Sequence, residues 1–455
     1  MKVLLFAPPF ELTAREDCIY PLALGFLGAV LEKEKIDMKA YDFLYEEWDK
    51  TRGKFSEIIK AENPDVIGIS SMTTNRWSAF EMSRIAKAIN PKIIVIMGGV
   101  HPTIMWHQIL ENFPVDFVVI GEGESTIEEL IRAIKAKKSQ KSFLKIKGLA
   151  FKHNGKIIRT EQRPFIQNLD TILFPKHEYF ENKIRKSGTV FIATSRGCPI
   201  GCTFCSTSRH WGRIRRQRSV KNVIAEIKQV KSRFPFINHI YFQDDEFIMN
   251  SAWVKEFCKA FIKEKINLSF ACCGRVTSAN DEIIILLKKA GCTKIYFGAE
   301  SGSPKIINYI EKKITTEQII SAFNICKKHH LEAGIYLMVG LPGENEQTIN
   351  ETVKMLKRIP NAKFGLPSLF QIYPGTQIYD TLKQKGFIND NYWITNKIAP
   401  FHTLEHSKRK LFFWALKIGL YSRYYQGQLL PFILGKIKAN LKIEKIKKQI
   451  KKYIK

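Results

Sequence analysis

Residues 194–206 read TSRGCPIGCTFCS and set cysteines at Cys198, Cys202 and Cys205. Gly197, Pro199 and Gly201 stand between them, residue types that build a turning loop and hold no core of their own. A structural zinc site is closed by four protein ligands. Here the next cysteine, Cys258, lies more than fifty residues on. A cubane iron–sulfur cluster held by three thiolates keeps one iron open to a small molecule, which it can chelate and reduce. Zinc completed by His210 or a remote residue, and cysteines that only pack, are the other two readings of the spacing.

The surroundings of this loop alternate strand and helix. TVFIATS runs directly into it, and HIYFQDD, LSFACCGR, KIYFGAES, GIYLMVGLPG and PSLFQIYP follow as further strands, with helices such as VKNVIAEIKQVKSRF and TEQIISAFNICKKHH between them. Six such units over 186–400 predict a β/α barrel, complete or partial, with its site at the carboxyl ends of the strands. Gln243, Asp244, Asp245, Arg275, Glu300 and Ser301 fall at those ends.

Residues 1–140 show the same alternation, with VLLFAPP, MKAYDF, DVIGISSM, IIVIMGG and DFVVIGEGE as strands. A parallel, doubly wound, Rossmann-like sheet follows, in which ligands bind beyond the strand ends. Gly98, Gly99, Gly121 and Gly123 stand there, where a backbone without Cβ atoms admits a large ligand. No G-x-G-x-x-G follows the first strand, so a nicotinamide site is not expected. Residues 141–185 form a connector whose Asn154-Gly155 pair predicts a hairpin. Residues 401–455 are a basic, helical, amphipathic tail.

RGCPIGCTFCS resembles the radical S-adenosylmethionine (SAM) superfamily, and the likeness continues through IYFQDDEF, GRVT, AGCTKIYFGAESGS, GLPGENEQTI and YPGTQIYDTLKQKGFI. GGVHPT and GEGEST upstream make the chain similar to the cobalamin-binding class of that superfamily. The resemblance implies that Cys198, Cys202 and Cys205 hold a [4Fe–4S] cluster and that SAM chelates its open iron, yielding methionine and a 5′-deoxyadenosyl radical. It implies Phe204 beside adenine, Asp244 and Asp245 on the SAM amino group, and Arg275 on its carboxylate. Glu300 and Ser301 would reach the ribose, and Gly340 to Gly343 the adenine. Cobalamin would lie along Ser70, Ser71, Thr73, Gly98, Gly99, Gly121 and Gly123. No D-x-H-x-x-G run is present, so no protein histidine is expected on cobalt; His101 reads as a turn residue before Pro102 at a helix start.

The activity so implied is methylation of an unactivated carbon, or a radical cyclisation or rearrangement, in lipid, tetrapyrrole or natural-product biosynthesis, on a small-molecule or lipid substrate, with an electron donor such as flavodoxin or ferredoxin. The alternatives are a tRNA methylthiotransferase-like enzyme, disfavoured because the N-terminal region offers only Cys18, and a non-catalytic metal-binding or membrane-docking protein. The formal charge is +29, yet residues 408–455 carry 14 Lys or Arg against Glu444 alone. That tail either lies on an anionic bilayer or packs its apolar face on the barrel. No nucleic-acid module is recognisable in it. No apolar run reaches the roughly 18–20 residues of a spanning helix, so a cytoplasmic protein, at most peripheral to the membrane, is expected. The cysteines outside the loop read as buried, inert thiols.

Overall fold

A computed structural model describes residues 1–10, 19–359, 366–402 and 404–425. The Cys18 reading and the tail beyond residue 425 lie outside the described residues. The chain forms two compact units, neither contiguous: 1–199 with 205–238 and 373–399, and 200–204 with 239–372 and 400–455.

The first unit is built on β1 (Lys2–Ala7), β2 (Asp37–Asp42), β3 (Val66–Ser70), β4 (Ile94–Gly98) and β5 (Phe117–Val119). They lie in the order β2-β1-β3-β4-β5, all parallel. The predicted hairpin forms as β6 (Leu149–His153) and β7 (Lys156–Arg159), and it extends this sheet antiparallel from β5. Val3, Leu4, Leu5, Phe6, Ile67 and Val95 are buried without alternation, because helices cover both faces of a doubly wound sheet. The helices expected from periodicity form as Leu22–Lys33, Arg76–Ile89 and Glu124–Lys135. Two further helices, Trp48–Glu62 and Val100–Asn112, complete the crossovers.

Within the same unit, β8 (Thr189–Ile192) precedes the cysteine loop, and β9 (Ser195–Arg196) pairs antiparallel with β10 (Arg216–Gln217). Residues 373–399 return to this unit. Arg76, fully buried, donates to the carbonyls of Thr73, Trp393, Thr395 and Lys397, and its guanidinium lies 5.1 Å from the Trp393 ring.

The second unit holds β11 (His239–Phe242), β12 (Ser269–Gly274), β13 (Cys292–Glu300), β14 (Glu332–Val339) and β15 (Ser368–Leu369), side by side and parallel in that order. This is a half-barrel, the partial form of the predicted barrel. Its intervening helices start on side-chain caps: Asn250, Asn280, Thr315 and Asn345 each accept an N–H of the first turn. One sheet face carries the apolar side chains Ile240, Phe242, Phe270, Cys272, Ile295, Phe297, Ile335 and Leu337. The other alternates out of phase and carries Tyr241, Cys273, Tyr296 and Tyr336.

The tail's first helix, Lys408–Tyr425, buries Leu411, Trp414, Ala415 and Ile418, and Trp414 Nε1 donates to Glu346 Oε1 at 2.5 Å. Its apolar stripe thus packs on the Glu346–Arg358 helix of its own unit. Phe413, Leu420, Tyr421 and Tyr424 are exposed on it.

Candidate functional site

Two turns interlock at the carboxyl ends of β3 and β4. Ser71 N–H donates to the Gly98 carbonyl at 2.8 Å, and His101 N–H to the Ser71 carbonyl at 3.3 Å. Gly99 has φ +105°, and a Cβ there would stand 2.6 Å from Ser71 O, so this approach admits glycine alone. That turn lets the helix begin at Val100, two residues earlier than the proline suggested. His101 is therefore in the first helical turn and fully buried. Its Nδ1 lies 3.2 Å from Thr73 Oγ1, while Nε2 is buried without a hydrogen-bond partner. Burial first, and Arg76 second, hold its pKa well below the usual value, so the ring is neutral.

Ser70 pairs with Gly98 across the sheet, and Gly121 follows β5 with φ +79° and open space where a Cβ would point. Ser70, Ser71, Thr73, Gly98, Gly99, Gly121 and Gly123 thus gather at the ends of three neighbouring strands. A glycine cradle with open space and an unspent buried ring nitrogen fit a large, amide-bearing cofactor such as cobalamin.

The glutamates between those glycines turn elsewhere. Arg196, in β9, donates to Glu122 Oε1 at 2.8 Å and to Glu124 Oε1 at 2.5 Å. Arg216, its partner in β10, donates to Glu122 Oε2 at 2.7 Å. The Arg196 guanidinium lies 5.3 Å from the Phe26 ring and 5.2 Å from Trp211. Burial alone would raise the Glu124 pKa, but Arg196 outweighs it and leaves the carboxyl below its usual range. His210 is neutral too, pushed down to about 4 by burial and then by Arg196. None of these pairings is legible in the sequence, because ion pairs across more than seventy residues leave no local pattern.

Cys198, Cys202 and Cys205 are half-buried. Gly197, with φ +88°, would put a Cβ 2.2 Å from Ile214 O, which fixes the chain's path into Cys198. Among the described residues no group of three or more His, Cys, Asp or Glu is gathered as around a single metal ion. The donor chemistry, three thiols on a glycine-turned loop, fits the iron–sulfur cluster.

In the second unit Thr203 N–H donates to the Ile310 carbonyl at 3.1 Å. Lys312 Nζ stands 5.9 Å from the Phe204 ring and 2.6 Å from Glu300 Oε1. Burial would lower the Lys312 pKa, but Glu300 and then Cys202 raise it overall, so the ammonium stays charged. Lys312 is the residue that sequence reasoning missed here; it stands twelve residues past the strand end that carries Glu300. Glu300 holds φ +63°, a strained value for a side-chain-bearing residue, and Gly298 leaves room for its carboxylate and the lysine.

Arg275 donates through Nη2 to the Lys312 and Lys313 carbonyls and through Nε to Thr277 Oγ1. Ser301 is buried, its hydroxyl accepting the Ser303 N–H at 3.2 Å and lying 3.4 Å from Thr352 Oγ1. Asp244 is buried and Asp245 exposed. Gly340 N–H donates to Glu344 Oε2 at 2.6 Å and Gly343 N–H to Glu405 Oε2 at 2.8 Å.

Two family models match the chain: the B12 binding domain over residues 12–131 and the radical SAM superfamily over 192–356. An uncharacterised methyltransferase of Pyrococcus horikoshii is 33% identical over 414 residues, covering 89% of this chain and 88% of the relative. The anaerobic magnesium-protoporphyrin IX monomethyl ester cyclase of Rubrivivax gelatinosus is 28% identical, covering 75% of this chain and 62% of that protein. Among solved structures, the radical SAM methyltransferase TsrM of Kitasatospora setae, with tryptophan and a SAM analogue bound, aligns with TM-score 0.71 at 20% identity. That alignment covers 84% of this chain and 76% of TsrM, and shows a shared fold.

Proposed function

The chain belongs to the cobalamin-binding class of radical SAM enzymes, and from that premise we propose that it methylates an unactivated carbon of a small-molecule substrate. The observation that carries this reading is the coexistence of the two site-forming loops, the glycine cradle after β3, β4 and β5 and the three-thiol loop after β9. A cobalamin in the cradle supplies a transferable methyl group, and a cluster with SAM supplies the radical that removes a substrate hydrogen.

The chain's own residues do the holding. Cys198, Cys202 and Cys205 ligate iron, and Phe204 and the Lys312–Glu300 pair border the SAM pocket. Asp244, Asp245, Arg275, Ser301, Gly340 and Gly343 frame it from the strand ends. His101 stays neutral behind the cradle. Radical SAM enzymes draw on a reductant, here a flavodoxin or ferredoxin. The test is anaerobic reconstitution with SAM, cobalamin and reductant. A methyltransferase forms both 5′-deoxyadenosine and S-adenosylhomocysteine. 5′-Deoxyadenosine without S-adenosylhomocysteine would favour a cyclase, the activity of the Rubrivivax relative. Absence of both would remove the reading.

We further propose that this end of the molecule contacts anionic lipid, a reading supported by the exposed aromatics of the Lys408–Tyr425 helix and the basic sequence that follows. Sedimentation with phosphatidylserine vesicles but not with phosphatidylcholine vesicles is the expected outcome; equal recovery with both overturns it. Among the described residues no helix is long and apolar enough to cross a membrane.

A further inference from the structure

The proposed activity needs two cofactors to work in register, and the first unit contains a physical connection between their holding elements. Gly121 and Gly123 belong to the cobalamin cradle, and the side chains between and after them are Glu122 and Glu124. Both carboxylates end on Arg196, two residues before Cys198. Glu122 is shared with Arg216, whose Nη1 also donates to the Ile166 carbonyl at 2.8 Å, and Ile166 N–H returns to Glu122 Oε2 at 2.7 Å. Arg196 has 10% of its side chain exposed, Glu122 3% and Arg216 4%, so these are desolvated ion pairs.

Desolvated pairs resist stretching far more than exposed ones, because neither partner can turn to water instead. A shift of the 121–124 loop therefore drags β9 with it. Gly197 passes that shift to Cys198 with little slack, since even a Cβ built there would stand 2.2 Å from the Ile214 carbonyl oxygen. The network is also unfinished. Arg216 Nε and Nη2, Gln217 Nε2 and His210 Nδ1 are buried without hydrogen-bond partners beside it. Such unmet groups await an acceptor-rich occupant.

We propose that Arg196, held by Glu122 and Glu124, is a positioning residue that couples cobalamin binding to the iron–sulfur cluster. It touches neither reacting atom; it acts through the loop at either end. The inference rests on both cofactors being bound, and the experiment separates the two questions.

The full-length chain is reconstituted anaerobically and titrated with hydroxocobalamin while the cluster is followed by Mössbauer spectroscopy, which sees iron and not cobalt. In the wild type the cluster parameters shift on cobalamin binding. By reciprocity, cluster-loaded protein binds hydroxocobalamin about tenfold more tightly than cluster-free protein. In Arg196→Lys and Glu124→Gln the Mössbauer shift disappears and the affinity ratio falls to near one, with iron content retained. The charge-conserving Arg196→Lys keeps the positive charge but not the guanidinium fork that reaches two carboxylates. Should Arg196→Lys fail to fold, Glu124→Gln alone carries the test. A wild-type cluster indifferent to cobalamin, or variants that keep the shift, overturns the proposal. A wild type that binds no cobalamin at all refutes the functional reading instead.

Discussion

The two parallel sheets of this protein solve one problem in opposite ways. In the first, β1, β3 and β4 are buried along nearly their whole length, since helices lie on both faces. In the second, β11 and β13 alternate, with apolar side chains on one face and Tyr241, Cys273 and Tyr296 on the other. The first sheet leaves only the ends of its strands uncovered; the second leaves one face partly exposed. Tyr296 and Tyr336 stack there at 5.3 Å and 10°, and Tyr241 OH lies 3.4 Å from Cys273 Sγ.

Their buried carboxylates differ in the same sense. Glu124 of the first unit stays ionised because Arg196 faces it. Glu344 of the second is pushed up to about 7, by burial first, although the Gly340 and Leu341 N–H groups oppose this. Glu124 keeps its charge by pairing and Glu344 takes up a proton more readily, while Glu300 of the second unit pairs with Lys312 as Glu124 does with Arg196.

The largest expected effect separates the two regions by function. Cys202→Ala brings 5′-deoxyadenosine formation to background while hydroxocobalamin still binds, weakened by no more than about tenfold. Loss of cobalamin binding altogether would merge the roles contrasted here. Next in size is Arg76→Ala, which leaves several carbonyls of the first unit without their donor and costs roughly 3–5 kcal/mol in denaturant unfolding.

The third prediction concerns pH. The folded chain holds a proton on Glu344 that the unfolded chain releases, so stability falls as pH rises from about 4.5 to about 7 and is level above that. The contribution is on the order of 3 kcal/mol, and Glu344→Gln removes that slope. Glu124 acts with the reverse sign: its stabilisation is present above the usual carboxylate pKa and is lost on acidification. Smallest is Tyr336→Gln, on the open face of the second sheet with 47% of the residue exposed, at less than about 1 kcal/mol. Asn in place of the buried Ile69 costs several times as much. Equal costs would deny the distinction between the two sheets.

Periodicity announced eleven of the strands and the hairpin, because apolar runs and glycine turns are local signals. The three thiols were legible for the same reason. Lys312 was not, since its role depends on a turn that returns it to Glu300. Nor was Arg196 legible as the partner of Glu122 and Glu124, being 74 and 72 residues away from them. His101 looked like a turn residue because Pro102 masked the helix start that the Gly99 conformation permits. The hairpin was visible, yet its place beside β5 was not, because edge pairing is decided by what remains uncovered.

Arg76 sets a timetable for biosynthesis. Its guanidinium waits on carbonyls at positions 393, 395 and 397, more than three hundred codons downstream. A nascent chain emerging from the ribosome carries that cation through residues 239–372 of the second unit before these three acceptors exist. The first unit therefore cannot complete this buried site until residue 397 has been made, although it begins at the N-terminus. A premature stop anywhere before codon 393 leaves that buried cation without three of its acceptors.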